Sequence, residues 1–335
     1  MGGFLTDDDL KQLQPADEVM FPSPIPTQVV SSDEFWPMPQ TEKQKAVEAR
    51  IKAMADEIGA KQGLGRRRFL QTASGMAAAF LAMNEVHGPL YAVSRAEAQQ
   101  PDAAAARAAA LKGQFIMDVH THFLRPDTRI MTFVNARRAV GQAGWNPDLV
   151  GKEQTIQDPM EASWFKEVFL DSDTKVALIS GAPSEEPIDW FLTNDMKFDA
   201  RKRVNDASGT KRVLSHAIFT PGRPGWMEEV ERSIEQLKPD SFKGYTIGDN
   251  TNKHLAIHPW RMDDEKLLYP FYERLLKAGI NTVCVHKGLF PQQVTQQFPH
   301  LLPFAGVDDV GKAAKDWPQI NFVIYHSAYR WTGGG

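Results

Sequence analysis

The sequence predicts an α/β fold organised around a parallel sheet, and three observations carry that prediction. From residue 115 onward, short β-branched and aromatic runs alternate with helical patterns, as βαβ crossovers require. Gly, Pro, Asn or Asp bounds most of these runs. Three of them end in histidine, although the whole chain holds only nine. Alternation alone leaves a barrel and a doubly wound sheet equally open. No Gly-x-Gly-x-x-Gly fingerprint opens a helix after any run, which lowers the dinucleotide-binding reading.

The composition is that of an ordinary folded chain. Its 335 residues carry 38 Lys and Arg against 42 Asp and Glu, a formal net charge of −4, with 42% apolar residues. Wholesale disorder is excluded, and the mild acidity gives no footprint for nucleic acid. The single cysteine, Cys284, excludes an intramolecular disulfide. No run of about 18 strongly apolar residues occurs, so neither a multi-span protein nor a stable membrane anchor is expected.

Residues 1–40 are polar and punctuated by proline, and the expectation for 1–65 is a largely disordered extension. Within it, Thr41-Glu42-Lys43-Gln44 has the form of a capping box. Val47, Ile51, Met54 and Ile58 then recur at helical spacing, predicting a short amphipathic helix over 41–60 with no obvious partner. Next, Arg66-Arg67-Arg68-Phe69-Leu70 leads into an Ala- and Gly-rich stretch. Residues 66–98 thus resemble a twin-arginine export signal, closed by the small-x-small triplet Ala96-Glu97-Ala98. The resemblance implies export by the twin-arginine machinery to the periplasm, and it places the start of the folded body near residue 110. The long segment ahead of the arginines departs from the usual leader, unless translation begins near Met54.

The body carries six strand candidates, at 115–120, 175–181, 212–219, 242–247, 282–286 and 322–326. Three helices are expected between them. Residues 226–237 align Trp226, Val230, Ile234 and Leu237; residues 263–278 align Leu267, Phe271, Leu275 and Ala278 ahead of Gly279; and 310–317 stop at Pro318.

Met117-Asp118-Val119-His120-Thr121-His122 ends the first strand with histidines two apart, so both project to one face. At the C-terminal end of a barrel strand that face is the mouth, where such enzymes keep their chemistry. Thr282-Val283-Cys284-Val285-His286 and Phe322-Val323-Ile324-Tyr325-His326 repeat the placement. Imidazoles so gathered are good ligands for zinc and other borderline divalent metals. By parity Asp118 stands with His120 and His122, as an orienting group or a core-lining carboxylate. Cys284 shares the parity of His286 and reads as small core filling, His216 as structural, and His254 and His258 as solvated loop residues.

Together these segments resemble the amidohydrolase superfamily, in its amidohydrolase-related branch that includes aminocarboxymuconate-semialdehyde decarboxylase. The resemblance rests on Asp118-Val119-His120-Thr121-His122, Phe242-Lys243-Gly244-Tyr245, the helix from Asp263-Asp264 to Ala278-Gly279, Val285-His286 and Tyr325-His326, and runs from about Phe115 to Ala328. It implies a (β/α)8 TIM-barrel fold over 110–335, with His120, His122 and His286 as metal ligands, zinc as the expected divalent ion, and His326 as an acid/base group. Lys243 matches the position of a bridging lysine in dinuclear members, although a residue ahead of Gly in this branch often varies and it reads chiefly as a packing or solvated lysine; Arg330, with Trp331, could meet an anionic or aromatic substrate. The family's last ligand, an aspartate ending strand eight, has no counterpart, so the expectation is an incomplete barrel of about six βα units, with exposed edges at strands one and six and oligomerisation possible. The implied activity is hydrolysis of a carbonyl-type bond in a small organic substrate. The alternatives are non-oxidative decarboxylation or hydration on the same scaffold, or an inactive metal-binding fragment.

Overall fold

Residues 23–27, 40–144, 146, 149–249, 251–288 and 292–328 are described by a computed structural model. They divide into two units, one of residues 116–136 with 154–328 and one of 23–27 and 40–115 with 137–153.

In the first unit, β1 (Met117–Thr121), β2 (Val176–Ile179), β3 (Val213–Ile218), β4 (Ser241–Tyr245), β5 (Thr282–His286) and β6 (Asn321–Tyr325) pair in sequence order, every neighbour parallel. A doubly wound sheet reverses its strand order at a switch point, whereas a (β/α)8-type barrel adds each strand beside the last. The sequential order therefore settles the choice that alternation left open. The sheet is rolled as well. The Tyr325 hydroxyl on β6 reaches the Val119 carbonyl on β1 at 2.8 Å, although these strands do not pair.

Strand parity sorts the residues into two layers. Phe219, Phe242, Val283 and Val285 face outward into a core with Phe271, Tyr272 and Leu275 of the helix Tyr269–Lys277. Their neighbours His216, Lys243, Cys284 and Tyr325 meet one another on the concave side. Apolar residues on the convex face drive the helices onto the sheet, leaving polar side chains inside the roll.

The six strands fall where the sequence places them, shifted by one or two residues at their ends. The helices correct it more. The helix expected over 263–278 begins only at Tyr269, because Pro270 suits a first turn and Asp264 spends its carboxylate on the backbone amides of Lys266 and Leu267. Gly279 ends it at φ 74°, the left-handed position expected of it. The segment 226–237 is α-helical over Trp226–Arg232 and closes in a π turn over Ser233–Leu237. The helix Asn194–Ser208 was not foreseen; Thr193 caps it by accepting from the Met196 amide, and Gly209 stops it.

In the second unit, the helix Glu42–Lys61 carries the complete Thr41–Gln44 capping box. The expectation that it lacks a partner is overturned. Val47, Ile51, Met54, Ala55 and Ile58 share one core with Phe69, Leu70, Ala77, Ala78, Ala79, Ala82 and Ala98. The Arg66–Leu70 turn and the helix Ala73–His87 are thus parts of a small helical cluster, and Ala98 of the small-x-small triplet is buried in it. Gly75 permits the closest approach: a Cβ there would lie 2.3 Å from the Phe69 carbonyl oxygen. A further helix, Pro101–Leu111, precedes β1, so helical structure continues past the predicted leader. Most of the extension read as disordered, 1–22 and 28–39, lies outside the described residues. No helix among the described residues is long and apolar enough to cross a membrane.

Candidate functional site

The histidines predicted to act together are gathered on the concave face. His120 ends the inward run of β1, and its backbone amide donates to the Asp118 carboxylate at 3.0 Å. Asp118 itself is exposed, so of the two readings for it the core-lining one is wrong; it fixes the backbone that carries His120. The His120 ring lies 5.4 Å from that of His122 and 5.2 Å from that of His326, centroid to centroid. The His326 ring in turn lies 4.6 Å from that of His286. Tyr245, at the end of β4, stacks on His286 at 4.6 Å and 23° and sets its plane.

His326 reaches this group through an unusual backbone. His326, Ser327 and Ala328 all take left-handed φ values, 61°, 49° and 50°. Each such conformation costs a non-glycine residue about 1–2 kcal/mol. Strain of this kind collects where a side chain is held for a purpose.

Lys243 is the hub. It is fully buried on β4, with Nζ 3.1 Å from His120 Nε2 and 4.2 Å above the Tyr325 ring. Burial first, and then the Lys243 charge, push the His120 imidazole down to about 2, His122 to about 3 and His326 to about 4. Burial, followed by His326 and Lys243, holds His286 well below the ordinary histidine range. All four rings are therefore neutral at physiological pH, the form that offers a lone pair to a metal.

The donor chemistry fits a divalent ion of the zinc type. His286 Nδ1 is buried with no hydrogen-bond partner among the described residues, as an unused ligand atom would be. The rings are gathered rather than closed on a point: among the described residues, no three His, Cys, Asp or Glu side chains are arranged as ready ligands.

The remaining predicted residues sort as follows. Cys284 is buried at inward parity, and burial raises its thiol to about 11, which suits filling rather than reactivity. His258 is half-buried and pairs with Glu185 at 3.1 Å, so it is not merely solvated, whereas His254 is exposed as expected, with an edge-on contact to Phe298. Arg330 and Trp331 lie outside the described residues. Sequence reasoning missed Tyr325, Ser241 and Lys197. Tyr325 had none: strand parity with an inward His326 puts its neighbour outward, and only the left-handed backbone at 326–328 lets both reach the concave face. Lys197, fully buried and without a hydrogen-bond partner among the described residues, had none beyond a lone cation on a helix face.

No family model matches this chain, and no curated protein does. Solved structures that match include an uncharacterized TIM-barrel protein from Bordetella bronchiseptica, at 17% identity and a TM-score of 0.42 over 64% of this chain and 68% of that one. They also include 4-oxalomesaconate hydratase from Rhodopseudomonas palustris, at 18% identity and a TM-score of 0.34 over 63% of this chain and 62% of the hydratase. The fold assignment, a (β/α)8-type arrangement with six parallel strands among the described residues, rests on the strand order and the rolled sheet rather than on these likenesses.

Proposed function

We propose that this chain is a metal-dependent enzyme of the amidohydrolase type, acting on a carbonyl-type bond of a small organic substrate. The observation that carries the reading is the gathering of four neutral imidazoles, from the ends of β1, β5 and β6, on the concave face of a rolled parallel sheet. His120, His122 and His286 would hold the ion, and zinc suits an all-imidazole set. A divalent ion held there would supply Lewis acidity toward the substrate oxygen. His326, depressed to about 4, is unprotonated near neutral pH and can accept a proton from water or substrate. Asp118 holds the His120 backbone, and Tyr245 holds the plane of His286.

The Lys243 charge favours a second reading on the same residues. A buried cation beside the imidazoles suits a substrate carboxylate or a developing oxyanion, which is the need of a hydratase or non-oxidative decarboxylase. Metal analysis of the purified chain, with turnover assays on aryl or vinyl carboxylates and on amide or lactone substrates, tests both. Bound zinc with water-consuming cleavage supports the first, and bound zinc with carboxylate turnover supports the second. Metal-free, inactive protein refutes both, and metal taken up weakly without turnover leaves the fragment reading.

Export by the twin-arginine route is part of the same proposal, supported by the order of Arg66, Arg67, Phe69, Leu70 and the Ala-rich helix. Fusing residues 54–98 to a reporter should direct it to the periplasm. Replacing Arg66 and Arg67 with Lys should abolish that, and unchanged export would refute the assignment.

A further inference from the structure

Beneath the histidine group lies a hydrogen-bonded node that the proposed chemistry does not use. The Tyr325 hydroxyl donates to the Val119 carbonyl at 2.8 Å, and a carbonyl can only accept. The phenol has one proton, so its remaining contacts must be donors to its oxygen. His216 Nε2, at 2.8 Å, therefore carries the ring proton. His216 Nδ1 is then bare and accepts from the Ser241 hydroxyl at 2.6 Å. With the Val119 and His216 contacts of the phenol both made, the protons of the node fall in this order. His216 is 1% exposed, and burial holds it well below the ordinary histidine range, so it stays neutral as this arrangement requires.

One hydroxyl thereby ties β1 through Val119 to β3 through His216, and through that ring to Ser241 on β4, from its own place on β6. The ring attached to it is the floor of the site. The His120 ring rests on it at 4.6 Å, and Lys243 Nζ lies 4.2 Å above its centroid.

We infer that Tyr325 is a positioning residue: its hydroxyl, fixed by Val119, His216 and Ser241, holds the ring on which His120 and Lys243 are set. The alternative is that the node only stiffens the sheet. A stiffening role would alter stability without moving the His120 ring or its ligand affinity. The zinc arm of the test rests on the metal reading given above, and the spectroscopic arm does not.

The test uses the full chain with 15N-labelled histidine. In the wild type, His216 should show the Nε2–H tautomer, with a slowly exchanging ring proton. Tyr325→Phe keeps the ring but deletes the hydroxyl. It should expose that proton to exchange, shift the His120 ring resonances and weaken zinc binding about tenfold, the usual loss when a ligand's supporting group is removed. Zinc affinity is read by competition with a chromophoric chelator, and circular dichroism confirms the fold. If Tyr325→Phe fails to fold, Ser241→Ala decides by removing only the donor to His216, with Ser241→Thr restoring the wild-type spectrum. An Nδ1–H tautomer in the wild type overturns the inference. So do unchanged His120 resonances in whichever variant decides. Wild-type protein that takes up no zinc refutes the metal reading, and the His120 resonances alone then judge the role of Tyr325.

Discussion

At the scale of single residues, the site is governed by burial and by one cation. His120, His122, His216, His286 and His326 all titrate below the ordinary histidine value near 6.5. In the unfolded chain they take up protons as pH falls through that value, while in the folded chain His326 does so only near pH 4, His122 and His120 lower still, and His216 and His286 well below the ordinary range. Folding stability is therefore fully present above about pH 6.5 and is lost as pH falls toward 4 and below. Each such histidine contributes a slope of about 1.4 kcal/mol per pH unit within its window. Urea titrations of the metal-free chain between pH 7.5 and 5 should show this decline, and flat stability would contradict the neutral-imidazole account. Because the Lys243 charge is the second cause of the His326 depression, Lys243→Met should raise the His326 pKa from about 4. It should not restore the full value, since burial is the larger cause. An NMR titration that finds no movement would remove Lys243 from its place as hub.

At the scale of elements, the turn after β6 and the helical pair of the second unit make separate predictions. Ser327 holds a left-handed φ that glycine adopts at little cost. Ser327→Gly should therefore raise the stability of the barrel unit by about 1 kcal/mol, read from the denaturation midpoint. Unchanged stability would mean that the turn carries no strain. Gly75 lies against the backbone of Phe69 and Leu70. Gly75→Ala should cost the helical cluster about 2 kcal/mol, visible as an earlier melting step. The strands were legible because β-branched runs ending in histidine leave few other readings, and parity then placed Cys284 of β5 inward with His286. The helix Asn194–Ser208 was illegible because its core face is thin: Met196, Ala200 and Val204 contribute little hydrophobic signal beside its charges. The late start at Tyr269 was hidden for a different reason. Apolar spacing continues back to Leu267, and only the side-chain bonds of Asp264 reveal that this stretch is turn.

At the scale of the molecule, a sheet of six parallel strands in sequence order rolls until β6 touches β1 through Tyr325. The histidine group was visible from the sequence because three strands end in the same residue type. The node beneath it was not, because Val119, His216, Ser241 and Tyr325 lie as far as 206 positions apart, and only the roll of the sheet brings them together. The partner of the helix Glu42–Lys61 escaped for a similar reason: small alanines of a segment read as a leader form the other half of its core. The central claim is that the gathered imidazoles hold a divalent ion, and zinc-edge X-ray absorption on the purified, zinc-loaded chain tests it most directly. The account predicts a histidine-dominated first shell that is lost in the His120→Ala, His122→Ala double variant. A wild-type spectrum without imidazole scattering, or one the double variant leaves unchanged, would contradict it.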